Sequence, residues 1–389
     1  MDSCDVLIVG GGPAGSACAW RLRQGGVDVV VMDKATFPRD KVCAGWITPA
    51  VLEELQIDLS DYAQSRVLQS ITGFLTGVIG GETLQTDYDR TVSYGIRRCE
   101  FDDYLLRRSK ARLHLGEPLR GFRRERESWI VNDSLRARWL IGAGGHFCPV
   151  ARHLFAADAA STEHVPVILA QEAEFALTDS QQAACQVSGT HPELYFCPDL
   201  KGYGWVFRKG SVLNIGLGRE HETQLSEHVA AFVEVLRSRG RITFDIPIRF
   251  HGHAYRLRTN LPRVADDGVL LIGDAAGLAA PQSGEGIRPS IESGLLAAET
   301  LLEAAGDLQD IARRYSEKLK HRMSPATNTE GLARWLPVSV RAALGRALLK
   351  NRWFTRYVLL DRWFLNVNQQ ALSSPRRADC DPRQWARTQ

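Results

Sequence analysis

No apolar run in this chain of 389 residues approaches the ~20 residues that a helix needs to cross a bilayer, so a membrane-spanning helix is not expected. None of its eight cysteines pairs with another as C-x-x-C, and no secretion-type leader opens it. Both absences lead to the expectation of reduced thiols in a cytoplasmic setting. Charge of one sign is scarce as well. The 48 basic and 45 acidic residues leave a formal net charge of +3, which removes any whole-chain case for nucleic acid as a partner. There is no internal repeat and no low-complexity linker. What remains is a soluble protein, at most bound to a membrane surface. Two lobes are expected, because single cores stop growing near ~250–300 residues.

The stretch that organises the chain is GVLLIGDAAGLAAPQSGEGIRPSIESGLLAA, residues 268–298. Val269, Leu270, Leu271 and Ile272, bounded by glycine, predict a buried strand ending in Gly273-Asp274, a turn that exposes one carboxylate. Beyond Pro281 and Gly284, the run Glu285-Gly286-Ile287 opens a helix on which Ile287, Ile291, Leu295, Ala298 and Leu302 recur at helical spacing. An acceptor thereby sits beside the free amides of a helix start, which suits a ligand bearing both hydroxyls and electron-rich oxygens.

Residues 5–34 repeat the theme: DVLIVGGGPAGSACAWRLRQGGVDVVVMDK. Gly10, Gly12 and Gly15 fit G-x-G-x-x-G between an apolar strand at 6–9 and a helix with Ala14, Ala17, Cys18 and Leu22 on one face. The first glycine permits the tight turn, the second lets a pyrophosphate approach, and the third lets helix and strand pack closely. Asp33 ends the second strand, eighteen residues beyond Gly15, where an acid accepts from adenosine ribose hydroxyls.

The following loop carries Cys43-Ala44-Gly45-Trp46, placed to pass over the reactive end of a cofactor; alternatively Cys43 is a small buried hydrophobe and Trp46 a packing anchor. A short helix is expected over 49–55. Strands are expected over 66–97 with a hairpin at Gly80-Gly81, and a helix from about Phe101. A β-meander is expected over 113–142, closing at a third glycine-rich strand end, Gly142-Ala143-Gly144-Gly145. His146 and Cys148 lack further spaced ligands, so no metal is expected. Residues 156–262 read as strands with one helix over 225–237, and Tyr195, Phe196, Tyr203, Trp205 and Phe207 form either core or a substrate surface. From Gly331 onward eleven basic residues stand against three aspartates, with four of the nine tryptophans: Trp335, Trp353, Trp363 and Trp385. That composition suits an interfacial helix, or a helical cap on the substrate lobe.

Three of these elements, GGGPAG at 10–15, Arg98-x-x-Phe101-Asp102-x-x-Leu105, and GDAAG-x-x-x-P-x-x-GEGI at 273–287, together resemble the p-hydroxybenzoate hydroxylase superfamily of flavoproteins. Within it the chain is most similar to the geranylgeranyl reductase family, over roughly residues 4–320. The resemblance implies an α/β fold: a Rossmann-like FAD-binding domain of the glutathione reductase type with an inserted β-sheet substrate domain and a C-terminal helical region. The FAD-binding domain is expected from 1–65, 98–155 and 263–330, the substrate domain from 66–97 and 156–262, and the helical region from 331–389. It further implies that Gly10, Gly12, Pro13, Ala14 and Gly15 hold the pyrophosphate, and Asp33, with Lys34 beside it, the ribose. Arg98 would contact the flavin nucleotide, Gly273 and Asp274 the ribityl or pyrophosphate region, and Gly284, Gly286 and Ile287 the pyrimidine edge of the ring. Cys43, with Ala44 and Gly45, falls where these reductases carry a cysteine loop near the flavin, and is the candidate catalytic residue. Trp46, Tyr203 and Trp205 are the candidate substrate contacts. Two departures stand out: Gly144 where relatives carry aspartate in Gly-Ala-Asp-Gly, and Arg208 where the aromatic strand usually continues with proline.

The function this implies is FAD-dependent reduction of carbon–carbon double bonds in a hydrophobic prenyl-type or lipid substrate, with NAD(P)H or another reductant as electron donor. Peripheral membrane contact through 331–389 is the expected partner surface, and the oligomeric state is left open. The alternatives are an FAD-dependent monooxygenase or dehydrogenase acting on an aromatic or polyketide-like molecule, a halogenase, and a flavin-binding protein without turnover. The missing aspartate counts against hydroxylation. The absence of any lysine between Lys41 and Lys110 counts against halogenation.

Overall fold

The structure, a computed structural model, describes residues 1–156, 167–220, 224–258, 263–304, 310–323 and 338–373. Its first sheet is built on the strand Asp2–Val9, whose apolar half, from Val6 to Val9, is buried. Val29–Asp33 and Leu135–Gly142 flank it in parallel, Val269–Leu271 lies parallel beyond the latter, and Ala265–Asp266 closes that edge antiparallel. Strands covered on both faces read as continuous apolar runs, which is why these were recognisable. The carboxyl ends of the parallel strands, five with Arg112–Leu115 beyond Val29–Asp33, meet at one edge of the sheet, where doubly wound folds form their ligand crevice.

The expected meander is only half present. Arg112–Leu115 instead runs parallel to Val29–Asp33, and only Phe122–Glu125, Ser128–Val131 and Leu135–Gly142 meander. Register-independent alternation does not distinguish the two, because both orientations bury every second residue. The helices Pro13–Gln24 and Ile287–Glu303 cross closely on this sheet. At the crossing a Cβ on Gly294 would stand 2.3 Å from the Ala14 carbonyl oxygen, so only glycine fits.

The second sheet has the order His251–Arg256, Val167–Ala176, Val212–Glu220, Gly202–Lys209, Glu193–Phe196, Gly73–Val78, Thr83–Asp87. Residues 66–97 divide between sheets. The hairpin through Gly80-Gly81 joins this large sheet, whereas Leu68–Ile71 and Ser93–Ile96 pair with each other, and the latter with Trp46–Ile47. The change of sheet falls at Thr72-Gly73, whose amides both donate to the Thr190 carbonyl. One face of the large sheet is sealed by the helix Leu225–Ser238, through Val229, Phe232 and Leu236. A short helix, Asp179–Ala184, interrupts the strands; Thr178 and Gln181 cap it reciprocally, a second helix in a segment where one, over 225–237, is expected.

The other face looks toward the crevice. Opposed residues on antiparallel strands share a face, so the register sets Tyr203, Gly218, Ala170 and His253 in one row, and Trp205, Gly216 and Glu172 in the next. The C-terminal segment caps this face. After the helix Val338–Leu349 comes a π-helical run, Phe354–Phe364, and Leu349, Leu359, Leu360 and Phe364 are buried with Phe74, Trp205 and Phe207. Trp335 and Trp385 lie outside the described residues. Among the described residues no helix is long and apolar enough to cross a membrane.

A buried ion network latches the cap. Arg288 donates to Glu292 at 2.8 Å and to the Gln369 carbonyl at 2.8 Å, Arg322 donates to Glu292 at 2.6 Å and to the Gln370 carbonyl at 2.7 Å, and Leu372 donates its amide to Glu54 at 3.2 Å. Burial, and then the neighbouring Glu292, push the Glu54 carboxyl up to about 8.

Candidate active site

Strand ends, substrate face and cap enclose a cavity of about 670 Å³. At the first strand end the chain turns on Gly10, with φ +120°; a Cβ there would lie 2.3 Å from the Ala143 carbonyl oxygen. Gly12 precedes the helix and Pro13 opens it, with no side-chain cap and no acid in the first turn, so its leading amides face the cavity without an internal partner. Asp33 is held at the next strand end by amides, accepting from Gly11 at 2.7 Å and from Ala35 at 2.9 Å. Arg98 lines the cavity, pairs with the buried Asp102 in two bonds of 2.8 and 2.9 Å and also meets the Cys43 side chain, and Arg39 approaches the same carboxylate at 3.3 Å.

Across the cavity the second glycine turn repeats the device. Gly284 has φ +71°, and a Cβ would meet the Tyr255 hydroxyl at 2.6 Å. Gly286 precedes the helix Ile287–Glu303, again uncapped and without an acid in its first turn, and Asp274 stands beside it on the cavity wall. Two uncapped helix starts, one carboxylate on a strand end and a cradle that admits no Cβ fit an extended dinucleotide such as FAD.

The structure places the predicted residues unevenly. Gly10, Gly12, Pro13, Ala14, Asp33, Lys34, Cys43, Ala44, Trp46, Arg98, Tyr203, Trp205, Asp274, Gly284, Gly286 and Ile287 all line the cavity. Gly15, Gly45 and Gly273 stand behind its wall. A Cβ on Gly15 would lie 1.9 Å from the Gly10 carbonyl oxygen, one on Gly45 2.1 Å from that of Ile96, and the Gly273 amide donates to Ser293. Their contribution is close packing of the turns. Trp46 stacks on Phe364 with 5.5 Å between ring centroids and lies 5.1 Å from Phe74, so it is at once packing anchor and cavity wall. Trp205 fills the space above Gly216, where a Cβ would come within 2.2 Å of its ring, and its indole N–H donates to Asn214 at 2.7 Å.

Sequence reasoning missed several wall residues. Phe364 comes from the tail, 318 positions beyond Trp46, and nothing local marks it. His253 and Tyr255 face the cavity from an edge strand, which the alternation HGHAYR signals. Lys41 reaches His253 at 2.6 Å between nitrogens. Burial lowers the Lys41 ammonium to about 8; burial, then the Lys41 charge, lowers His253 to about 3. Glu285, inside the quoted GEGI motif, faces the cavity, and burial pushes its carboxyl up to about 7. His146 also lines the cavity while Cys148 is fully buried, and among the described residues no group of three or more His, Cys, Asp or Glu is placed to hold a metal.

Fold and cavity together define an FAD-dependent oxidoreductase, and residues 5–91 match the family profile described as FAD dependent oxidoreductase. A menaquinone reductase of Mycobacterium tuberculosis is 32% identical over 346 residues, covering 82% of this chain and 81% of the relative. A digeranylgeranylglycerophospholipid reductase of Methanocaldococcus jannaschii is 25% identical over 337 residues, with 82% and 83% covered. Among solved structures, a geranylgeranyl bacteriochlorophyll reductase-like protein of Thermoplasma acidophilum superposes with a TM-score of 0.74 at 22% identity, over 90% of this chain and 91% of that one. The chain belongs to the geranylgeranyl reductase family of FAD-dependent oxidoreductases.

Proposed function

We propose that the protein reduces a carbon–carbon double bond in the isoprenoid chain of a lipid. The observation that carries this reading is the aromatic half of the cavity, where Trp46, Tyr203, Trp205, Phe364 and Ala170 present apolar surface beside the Cys43 loop. Such a wall suits an alkyl chain, which it would take out of water and orient. The names of the relatives support it, since menaquinone and digeranylgeranylglycerophospholipid both carry isoprenoid chains.

Bound FAD, once reduced by NAD(P)H or another donor, supplies the hydride. The chain's own residues do the rest. The amides after Gly12, with Pro13 and Ala14, would hold the pyrophosphate. Asp33, beside Lys34, would hold the ribose, Asp274 the ribityl region, and Gly284 to Ile287 the pyrimidine edge, with the uncapped helix start favouring negative charge there. Cys43, half-buried on the wall, donates the proton that completes the reduction. Excluding water matters because an isolated alkene accepts hydride poorly until a proton builds positive charge on it. Arg341, Lys350 and Arg352, exposed beside Val340, Leu344, Trp353 and Tyr357, support contact with a lipid surface through the cap.

The test is mass spectrometry of prenylated lipids incubated with the flavin-loaded protein and a reductant. Paired hydrogens gained on the isoprenoid chain, at least one of them solvent deuterium when the reaction is run in D2O, are expected. Gain of a single oxygen atom would overturn the reading.

A further inference from the structure

Behind the Cys43 loop the cavity-facing side of the substrate sheet carries more acid than base. Glu172 and Glu174 project from Val167–Ala176, Lys209 from Gly202–Lys209, and Asn214 from Val212–Glu220. The lysine is 1% exposed and donates to Glu174 at 2.6 Å and to the Ile96 carbonyl at 2.8 Å. Arg97 also turns to Glu174, at 3.3 Å. Asn214 donates to the Cys43 carbonyl and to Glu174, both at 3.2 Å, and accepts from Trp205. Glu172, to which the Cys43 amide and the Asn214 side chain donate, has no cation of its own. It is 5% exposed, its Oε2 has no hydrogen-bond partner, and His251, opposite it on the edge strand, points into solvent.

Two buried carboxyls thus share one ammonium, and that ammonium sits on Glu174. An ion at Glu172 would be desolvated with no cation of its own, a costly state that a neutral acid avoids. We propose that Glu172 is a positioning residue that stores a proton beneath the Cys43 loop and returns it to Cys43 after each reduction. This rests on Cys43 as the donor proposed above. The step balances simply. Once the thiol has given its proton to carbon, the Glu172 O–H bond breaks and the Cys43 S–H bond forms; the resulting carboxylate then takes a proton from solvent. Burial pushes Glu172 up to about 7; the Cys43 amide, Lys209 and Asn214 oppose the rise and Glu174 adds to it. The stored proton is therefore lost as pH passes through neutrality.

Two measurements on the flavin-loaded protein test this. Infrared spectra across a pH titration should contain a protonated-carboxyl band that fades with a midpoint near 7 and is missing from Glu172→Gln, which separates it from the bands of Glu54 and Glu285. In turnover, E172Q should lower kcat roughly tenfold or more below pH 7 and lose the fall in kcat above it, while Glu172→Asp restores part of both. A merely structural role would lower kcat by the same factor at every pH, and that result, or a titrating band unchanged in E172Q, overturns the proposal. If Cys43→Ala keeps full turnover while E172Q still abolishes the pH limb, the Cys43 reading fails and the proton passes from Glu172 through water instead.

Discussion

One wall of the cavity is made of backbone and the other of rings. On the nucleotide side the surfaces are amides and glycine turns, tightest at Gly10 against the Ala143 carbonyl and at Gly284 against the Tyr255 hydroxyl. On the substrate side, Trp46, Tyr203, Trp205 and Phe364 meet from three distant segments, and no pair of those segments is adjacent in sequence. A ligand held through backbone leaves its imprint as a local motif, because only glycine permits the approach. A ligand held through side-chain shape leaves an imprint distributed over the chain. At Gly10 and Gly284 the first wall is therefore intolerant of an added methyl, and the second wall should tolerate change in proportion to the volume removed.

The sharpest way to break that contrast is Gly10→Ala. The new methyl would press on the Ala143 carbonyl at a φ that side chains avoid. We expect purified protein with at least about tenfold weaker FAD binding, a change of about 1.4 kcal/mol or more, read from flavin fluorescence on titration. A yellow, fully loaded Gly10→Ala protein would mean that the backbone wall is softer than its geometry implies. Phe364→Ala tests the other wall, and its effect falls on stability. Truncating a buried ring costs about 3–5 kcal/mol in a well-packed core, so thermal unfolding should shift down by several degrees. FAD affinity should stay unchanged and KM for a prenyl lipid should rise. Loss of flavin in that variant would show the two walls to be one unit.

Smaller is the effect of pH on the latch. A carboxyl raised in the folded protein above its unfolded value binds its proton more tightly when folded. Glu54 therefore contributes stability that is complete below about 4.5 and is lost as pH rises through about 8. Glu54→Gln should flatten that decline by on the order of 1–3 kcal/mol, measured by urea unfolding at pH 5 and pH 9. An equal slope in both proteins would remove Glu54 as its source. The smallest change is expected at the cap surface. Trp353→Ser and Tyr357→Ser, at residues 65% and 55% exposed, should alter stability by less than about 0.5 kcal/mol. Co-sedimentation with anionic lipid vesicles should nonetheless drop in both, and undiminished co-sedimentation would discard the lipid-facing role of the cap.

The same contrast explains what could be read before the fold was known. The strand at 6–9, the turn at Gly12, Asp33 and the run from Gly273 to Ile287 were legible because strand, turn and helix start each follow from adjacent residues. The parallel placement of Arg112–Leu115 was not, since pairing partners are chosen by tertiary packing. Phe364, Lys41 and Glu172 were also hidden. Each matters through a neighbour far along the chain, Trp46, His253 and the Cys43 loop respectively. The tail composition admitted an interfacial helix or a cap. Its buried leucines and Phe364 make the cap, while its exposed side chains leave the surface role to experiment.

The latch at Gln369 and Gln370 also fixes an order of events in synthesis. A chain emerging amino end first completes the FAD cradle once the helix Ile287–Glu303 is out, before Phe364 and its tether have emerged. Until the last few dozen residues are free, the aromatic chamber stands open on one side. The cradle for the cofactor is thus laid down before the lid that covers its substrate side.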